Sequence, residues 1–555
     1  MKKLFSSTKI ALGVAAITGG ILAGAVPAKV QAAPLKRLVL AVKGEPEQGF
    51  DPLKDWGRHG GSPLFQATLI RHDANLKLQP DLATKWTLSS DNLTWTITLR
   101  EGVKFADGKP LTAEDVAYTY ETGKKAASLL DLNALESARA INANTVELKL
   151  KKPRITFVQT MATLGIVPKH AYNENYARAP MGSGPFKFVS WTAACQLVLR
   201  GLHRSGPFKF VSWTAGEQLI IEPNPHYYGQ KPAFERITFL FTGEDASLAA
   251  AKAGQVQIAA VAHSMAGTVP ANMRREVTKT VDNRGIMLPM VPSGRKTDKG
   301  IPIGNDVTSD VAIRKAINMA IDRKALVKGV IGGYGSPAWG PADGLPWDNP
   351  QQRLPDANPE GAKALLKQAG WVMGSNGVLS KNGKEARIPL LYFSDDNTRQ
   401  ALALAVADML KPLGIVMEVA GKTREETHRL KHSSAVLLGW GAHSPLEVYN
   451  LIASSAAGKG FYNAGFYDNP TVSAYLEKAE RSSTFQASLP HWKNAAWDGK
   501  TGFGMKGDAT WAWLVNIDHV YFVNKCLDIG PRQIEPHGHG SSITWNVQDW
   551  KWTCK

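Results

Sequence analysis

Two histidines separated by a single residue are the strongest chemical signal in this chain of 555 residues. His537 and His539 alternate with Gly538 and Gly540. A neutral imidazole nitrogen is a good ligand for transition-metal ions such as Ni(II). The neighbouring glycines have no side chain and allow the backbone to approach a bound group closely. The pair therefore predicts a place where the chain contacts a ligand.

The sequence lacks the residue patterns that mark several common classes of enzyme. It has no His-Glu-x-x-His pair of a metalloprotease, no Gly-x-Ser-x-Gly turn of a serine hydrolase, no Gly-x4-Gly-Lys-Ser/Thr phosphate loop and no Cys-x-x-Cys pair. Acidic residues are plentiful, but their spacing alone does not select a catalytic pair. We therefore expect a binding protein and not an enzyme.

The first 32 residues have the pattern of a secretory signal peptide. Lys2 and Lys3 precede an apolar stretch over residues 10–26, and residues 30–32 form a small-x-small cleavage pattern. No later stretch approaches the roughly 20 apolar residues that span a bilayer. Because no cysteine at the cleavage site could carry a lipid, we expect a soluble, periplasmic protein without a lipid anchor.

The three cysteines predict one disulfide in this oxidising compartment. A bond between Cys526 and Cys554 would close a loop and stabilise the fold by about 3 kcal/mol in the chain-entropy model. Cys195 remains, and we expect it to be a buried, inert thiol.

The formal net charge of the chain is +17. Its lysines are scattered, and export also argues against a nucleic-acid partner. A solvated basic surface is the simplest interpretation, and attraction of anionic solutes is the alternative.

Strand and helix signals alternate along the chain and predict a mixed α/β fold. Residues 94–99 have the alternation of a strand, and Thr112 followed by two early acids is typical of a helix start. Apolar residues at helical spacing predict helices over 311–326, 361–369 and 401–410. A chain of this length exceeds what one core usually supports, so two or more domains are expected.

A near-perfect repeat interrupts this pattern, because residues 183–193 recur as residues 205–215. A single repeat cannot form a solenoid, so it is a tandem duplication of which one copy occupies the native strand. Because the second copy continues into residues 222–229, we expect that copy to form the strand and residues 183–204 to form an inserted loop or hairpin.

Several segments together resemble one family, the peptide- and nickel-binding solute receptors of ABC importers. Residues 80–86, 91–108 and 112–116 look like its signature block almost throughout. Further matches keep the family's order over residues 167–170, 206–209, 224–229, 310–316, 320–323, 358–363, 368–371 and 467–470. The resemblance covers nearly the whole chain after the signal peptide.

The resemblance implies a two-lobed periplasmic-binding-protein fold of the large three-part class, with mixed sheets and a two-strand hinge, that closes on its ligand. The expected boundaries are a signal peptide over 1–32, an N-terminal lobe over 33–285, a C-terminal lobe over 286–510, and a return to the N-terminal lobe over 511–555 with a disulfide-closed tail. The implied partners are the permease and ATPase subunits of the importer, with membrane contact only through the permease. We expect a monomer that needs no cofactor.

In this family a Trp-Gly segment of the C-terminal lobe contributes to the pocket, here residues 439–445. In peptide-binding relatives an aspartate soon after this Trp pairs with the α-amino group of the peptide, since a buried ammonium needs a carboxylate. The first acid here is Glu447, which weakens the peptide interpretation. The expected ligand contacts are Trp440, His443, Trp56, His59 and Tyr449.

Nickel-binding members of the family take the metal as a small chelate and sometimes add histidines of their own. The resemblance therefore implies a nickel or related transition-metal chelate as cargo. The alternatives are a dipeptide or oligopeptide, or a chemosensory or chaperone-like binding role outside transport. His72, His170 and His226 fall in scaffold segments and are expected to be structural. The expected metal contacts are His537, His539, His519 and His59.

Overall fold

Three large sheets organise the chain. The computed structural model describes residues 35–42, 49–54, 63–125, 132–192, 218–537 and 542–554. The sheets have seven, six and four strands, and each forms one side of a buried apolar core. This mixed α/β architecture confirms the predicted fold class.

The seven-stranded sheet gathers strands from both ends of the chain. Its central strand pairs in parallel with the strands on both sides, whereas the other neighbours are antiparallel. The strands, in spatial order, are Met273–Thr278, His519–Asn524, Ile258–Ala260, Arg37–Val42, Arg236–Phe241, Gln218–Pro223 and Phe186–Thr192. Helix Glu244–Lys252 packs beside it.

The four-stranded sheet is antiparallel and completes the N-terminal lobe. Its strands, in spatial order, are Ala83–Leu88, Thr94–Leu99, Thr145–Leu150 and Leu135–Asn142. In the predicted strand Thr94–Leu99, Trp95 and Ile97 point into the core because alternate side chains share one face. Helix Ala113–Lys125 packs on this sheet, and helix Phe157–Thr163 lies against the hairpin Ile70–His72 and Leu78–Pro80.

The six-stranded sheet forms the C-terminal lobe. In spatial order its strands are Gly335–Pro337, Trp511–Ile517, Asn283–Met287, Ala435–Trp440, Arg387–Phe393 and Val416–Lys422. The helices of this lobe are Val311–Ala320, Arg323–Gly329, Pro359–Gln368, Asn397–Leu410, Arg424–Leu430, Leu446–Ile452, Pro470–Glu480 and Phe485–Ala496. Short strand pairs complete the fold at Arg295–Lys296 with Pro302–Ile303, Val372–Met373 with Leu379–Lys381 and Lys384–Glu385, and Leu527–Asp528 with Lys551–Trp552.

The helices predicted over 361–369 and 401–410 are confirmed, with starts a few residues earlier. The prediction of one helix over 311–326 is wrong, because the chain is extended at Ile321 and Asp322. The Asp322 carboxylate accepts a hydrogen bond from the Ala325 amide and starts a second helix there. The cap at Asp322 therefore divides the segment into two helices, although the apolar pattern continues across Ile321 and Asp322.

The first copy of the repeat forms the native strand, so the prediction that the second copy does so is wrong. Strand Phe186–Thr192 pairs antiparallel with Gln218–Pro223, so the first copy contributes this strand to the sheet and does not lie in an inserted loop. The second copy, residues 205–215, lies outside the described residues, as does Cys195.

The glycines before the strand explain this choice between nearly identical copies. The Gly184 amide donates to the Phe65 carbonyl at 2.8 Å, and a Cβ on Gly182 would lie 2.1 Å from the same oxygen. The residue equivalent to Gly182 in the second copy is Arg204. Since arginine has a Cβ, only the first copy fits against Phe65.

The predicted disulfide is present between Cys526 and Cys554. It ties the strand pair Leu527–Asp528 and Lys551–Trp552 into a closed loop. Among the residues that the structure describes, no helix is both long and apolar enough to cross a membrane.

The chain crosses between the seven- and six-stranded sheets twice, at residues 279–282 and at Asp518. The first crossing lies close to the predicted boundary at 285/286. The predicted return at 511 is early, because all 7 residues of Trp511–Ile517 still belong to the sheet of the C-terminal lobe. The apolar run through both strands hides the crossing in the sequence.

We predict that Gly184→Ala lowers the free energy of unfolding by about 1–3 kcal/mol, because its Cβ would lie 2.8 Å from the Phe65 carbonyl oxygen. The matched control is Gly206→Ala, the same position in the second copy, which should change stability by less than about 0.5 kcal/mol. Urea unfolding followed by tryptophan fluorescence measures both. If Gly206→Ala were the more destabilising change, the second copy would occupy the strand.

Candidate functional site

Three chain segments meet where the lobes join. The Thr280 hydroxyl donates to the Ile517 carbonyl at 2.6 Å, which ties the two crossing segments together. The tail contributes a third segment, because the Glu535 amide donates to the Lys279 carbonyl and the Glu535 carbonyl accepts from Val281. The hinge is therefore a three-segment structure and not only the predicted pair of strands.

A buried carboxylate, Asp282, lies at the centre of this hinge. Arg284 and His537 donate to one of its oxygens, and His519 lies 3.6 Å from the other. Burial alone would raise the pKa of Asp282, but the nearby charges of Arg284 and His537 hold it well below its usual value. The carboxylate is therefore ionised, and its charge holds residues from both lobes.

His519 links Asp282 to the tail. Its Nδ1 donates to the Glu535 carboxylate at 2.6 Å, and the same carboxylate accepts from the Tyr521 hydroxyl at 3.0 Å. Burial lowers the pKa of His519, but the neighbouring carboxylates of Asp282 and Glu535 outweigh it and raise the pKa to about 10. The ring is therefore an imidazolium with a carboxylate beside each nitrogen. This hinge role was not foreseen from the sequence.

The Trp-Gly segment is fastened to this hinge. Gly441 has a φ of +145°, and a Cβ on it would lie 2.2 Å from the Val281 carbonyl oxygen. Its own carbonyl accepts from the His537 amide at 2.7 Å. The Glu447 carboxylate accepts from the amides of Gly441 and Ala442, both at 3.2 Å. The loop that carries the predicted ligand contacts is thus held in place by its own acid.

Two of the predicted pocket aromatics occupy different environments. The half-buried Trp440 stacks on Tyr462 with ring centroids 5.4 Å apart, and its indole Nε1 has no hydrogen-bond partner among the described residues. Tyr449 is buried, and its hydroxyl donates to Glu477 at 2.7 Å. The guanidinium of Arg154 lies 5.2 Å from the centre of the Tyr449 ring, so Tyr449 contacts the opposite lobe.

His443 lies where the lobes face each other. Its ring is 6.0 Å from that of His72, which comes from a strand of the N-terminal lobe. Burial, followed by the proximity of His72, lowers the pKa of His443 to about 3, so its imidazole is neutral. One ring nitrogen is hydrogen-bonded to the backbone of Ile534, and Nε2 has no partner in the described part of the chain.

His72 was expected to be structural, but it forms the other half of this pair. Its Nε2 donates to the Gln159 side-chain oxygen at 2.7 Å, since an amide oxygen can only accept. Burial lowers the pKa of His72, so this ring is neutral as well. No sequence signal places His72 near His443, because they are far apart in the chain and belong to different lobes.

Trp56, His59 and His539 lie outside the described residues, and their predicted contacts stay predictions. Within the described ranges, no group of three or more His, Cys, Asp or Glu side chains is arranged to hold a metal ion.

A second contact joins the lobes away from the hinge. Glu480, at the end of helix Pro470–Glu480, is 2% exposed. Its carboxylate accepts from the Thr156 amide at 3.2 Å and from the Thr156 hydroxyl at 2.7 Å. The Ile155 amide donates to the Glu480 carbonyl at 2.9 Å. Burial raises the pKa of Glu480, and the charge of Arg154 opposes that shift.

We predict that Glu480→Ala shifts the protein towards an open form, because it removes charge-assisted hydrogen bonds that exist only when the lobes touch. Small-angle scattering without cargo should then give a larger radius of gyration than for the native protein. The control is Glu418→Ala, an exposed acid on the far edge strand. Equal dimensions for all three proteins would contradict this role for Glu480.

We also predict a pH effect from His519. The pKa of His519 is about 10 in the folded state, against 6.5 for the free side chain. The contacts of the protonated ring with Asp282 and Glu535 therefore stabilise the fold fully below pH 6.5, and this contribution is lost as the pH rises towards 10. The free energy of unfolding should therefore fall over this range in the native protein and fall less in His519→Gln. Urea unfolding at pH 6 and pH 9.5 measures this free energy for both proteins. An equal change between the two pH values in the native protein and in His519→Gln would refute the prediction.

The comparisons with known proteins agree with this architecture. Residues 77–201 and 201–462 match the model of the bacterial extracellular solute-binding proteins, family 5. Protein XP55 of Streptomyces lividans is 33% identical over 519 residues, which cover 90% of this chain and 86% of that protein. The oligopeptide-binding protein AppA of Bacillus subtilis is 25% identical over 452 residues, 76% of each chain.

The fold is also shared with a solved structure. The structure of NikZ from Campylobacter jejuni in complex with Ni(L-His) superposes with a TM-score of 0.74 at 24% identity, over 94% of this chain and all of NikZ. The relatives whose names state a role, such as AppA, are named as binding proteins, in agreement with the prediction of a binding protein. The protein therefore belongs to family 5 of the bacterial extracellular solute-binding proteins, the solute-capturing components of ABC importers.

Proposed function

We propose that this protein captures nickel, or a related transition metal, as a small organic chelate between its lobes and delivers it to the permease and ATPase of its importer. The family establishes the capture of a solute for an ABC importer, and its members are named for nickel and for peptides. The choice of cargo rests on the side chains of this chain.

The observation that carries the proposal is the state of His443. The ring is buried and neutral, one nitrogen is taken by the Ile534 backbone, and Nε2 has no partner among the described residues. A metal-binding histidine has this arrangement, because a hydrogen bond at one nitrogen orients the ring while the other nitrogen keeps its lone pair for the metal.

His72 extends the proposed site to the opposite lobe. It is also neutral, and its Nε2 is used by Gln159, which leaves Nδ1 as the nitrogen with a lone pair. Two imidazoles from the protein and the carboxylate and amine groups of a chelator would together suit Ni(II). Because each lobe supplies one ring, the chelate binds the closed form better and shifts the protein towards closure.

The Trp-Gly segment argues against a peptide held in the manner of the peptide-binding relatives. The ammonium group of a buried peptide needs a carboxylate partner, and Glu447 is the first acid after Trp440. Its two oxygens accept from the Gly441 and Ala442 amides. The carboxylate thus shapes the loop. A peptide remains the competing cargo and is included in the test below.

The test is a titration of purified protein with Ni(II), with and without free histidine, beside a pool of dipeptides and tripeptides. We predict that the nickel species quenches tryptophan fluorescence and raises the melting temperature, and that His443→Ala weakens its binding about tenfold or more. His226→Ala is the control, since His226 is an exposed residue of the N-terminal lobe. His72→Ala should weaken binding in the same direction as His443→Ala.

The outcome that would overturn the proposal is binding of peptides but of no nickel species. The predicted contributions of His59, His519, His537 and His539 are tested by their alanine variants in the same titration. If those variants lost nickel affinity and His443→Ala kept it, the metal site would be assigned to the tail and hinge histidines instead.

A further inference from the structure

A cavity of about 270 Å³ opens on the N-terminal lobe. Four chain segments surround it: the hairpin Ile70–His72 and Leu78–Pro80, the end of strand Thr94–Leu99, the turn after Gln218–Pro223, and residues 548–549 inside the disulfide-closed loop. Its principal lining side chains are Arg71, Arg100, Tyr227, Tyr228, Asp81 and Asp549.

The cavity is separate from the cleft between the lobes. Arg71 and His72 are neighbours in one strand, and successive side chains of a strand point to opposite faces. His72 is on the side of Gln159 and His443, whereas Arg71 lines the cavity. A ligand here would not compete directly with cargo in the cleft.

Neither arginine has a carboxylate within ion-pair distance among the described residues, although the charge of Arg71 acts on Asp81 and Asp549. Arg71 makes no side-chain hydrogen bond and no ion pair with any residue of the described ranges. The Arg100 guanidinium lies over the ring of Tyr228 at 5.3 Å, and its hydrogen bonds to described residues, at 3.4 Å, go to the backbone carbonyl of Asp81. Both guanidinium groups therefore line the same cavity, and no carboxylate of the described residues accepts a hydrogen bond from them.

The two acids of the cavity do not neutralise these arginines by contact. Asp81 accepts from the Tyr228 hydroxyl and from the amide and hydroxyl of Thr68, at 3.1 and 3.2 Å. Its carboxylate is thus already surrounded by donors, and burial raises its pKa. Asp549 accepts from Gln548 at 3.1 Å, and no basic group of the described residues forms an ion pair with it.

The shape of the turn adds a neutral donor. A Cβ on Gly229 would lie 2.8 Å from the Tyr227 hydroxyl oxygen and 2.6 Å from its ring. The absence of that Cβ lets the Tyr227 ring lie along the turn at the cavity wall. Gln230 and Gln548 line the same opening and can donate or accept.

We propose that this cavity is a second binding site, for a small organic anion held through one carboxylate or phosphate group by Arg71 and Arg100. A guanidinium presents paired N–H donors that match the oxygens of either group. Tyr227 and the glutamine side chains would bind polar substituents of the same molecule. The cavity volume lies just below the usual range for ligand pockets, which favours a small ligand.

The experiment uses citrate and inorganic phosphate as probes, with chloride at equal ionic strength as the blank. Isothermal titration should show one citrate or phosphate bound by the native protein. Arg71→Gln combined with Arg100→Gln should weaken that binding about tenfold or more. Arg37→Gln is the matched control, because Arg37 is exposed on the same lobe and outside the cavity. Tighter binding of one probe identifies the preferred anionic group.

Cargo binding separates this inference from the proposed function. The double variant should bind the nickel species with native affinity, which also shows that it is folded. Tyr227→Phe, a smaller change, should weaken the citrate or phosphate complex without affecting the nickel titration. The inference is overturned if neither probe binds, if the double variant binds both as tightly as the native protein, or if His443→Ala removes the anion binding instead.

Discussion

The architecture depends on one buried negative charge at the junction of the lobes. Asp282 follows the strand Met273–Thr278 of the N-terminal lobe and precedes Asn283–Met287 of the C-terminal lobe. A carboxylate removed from water is costly unless charges and donors surround it. Arg284, His519 and His537 supply them from three segments. These segments can therefore separate only if the Asp282 carboxylate becomes exposed to solvent or stays buried without its partners.

Because the hinge segments are held together around Asp282, the lobes open and close at contacts outside this cluster. The tail is bonded to the first crossing through Glu535 and to the Trp-Gly loop through His537, so the loop moves with the hinge. The contacts that can open include those at Glu480 and at the pair of His72 and His443, which lie between the lobes and outside the ionic cluster. Closure then brings a fixed loop of one lobe against a strand of the other, and a bound solute adds contacts to both.

The sequence predicted the fold more completely than the site. Local signals were sufficient for strand Thr94–Leu99 and for helices such as Asn397–Leu410. The alternation of apolar and polar residues and the capping side chain both involve residues that are close in sequence. The repeat could have been assigned correctly from Gly182 and Arg204, since only a residue without a Cβ fits beside Phe65. The roles of His72 and His519 could not be predicted, because each depends on a partner that folding brings from a distant part of the chain.

In the proposed mechanism, cargo is bound through a histidine at the face between the lobes. X-ray absorption at the nickel K-edge of the loaded protein tests it most directly, because scattering from imidazole rings reports the ligands of the metal itself. With a chelator that contains no imidazole, we expect imidazole scattering in the native protein and its reduction in His443→Ala. A spectrum identical to that of the free nickel chelate would contradict it.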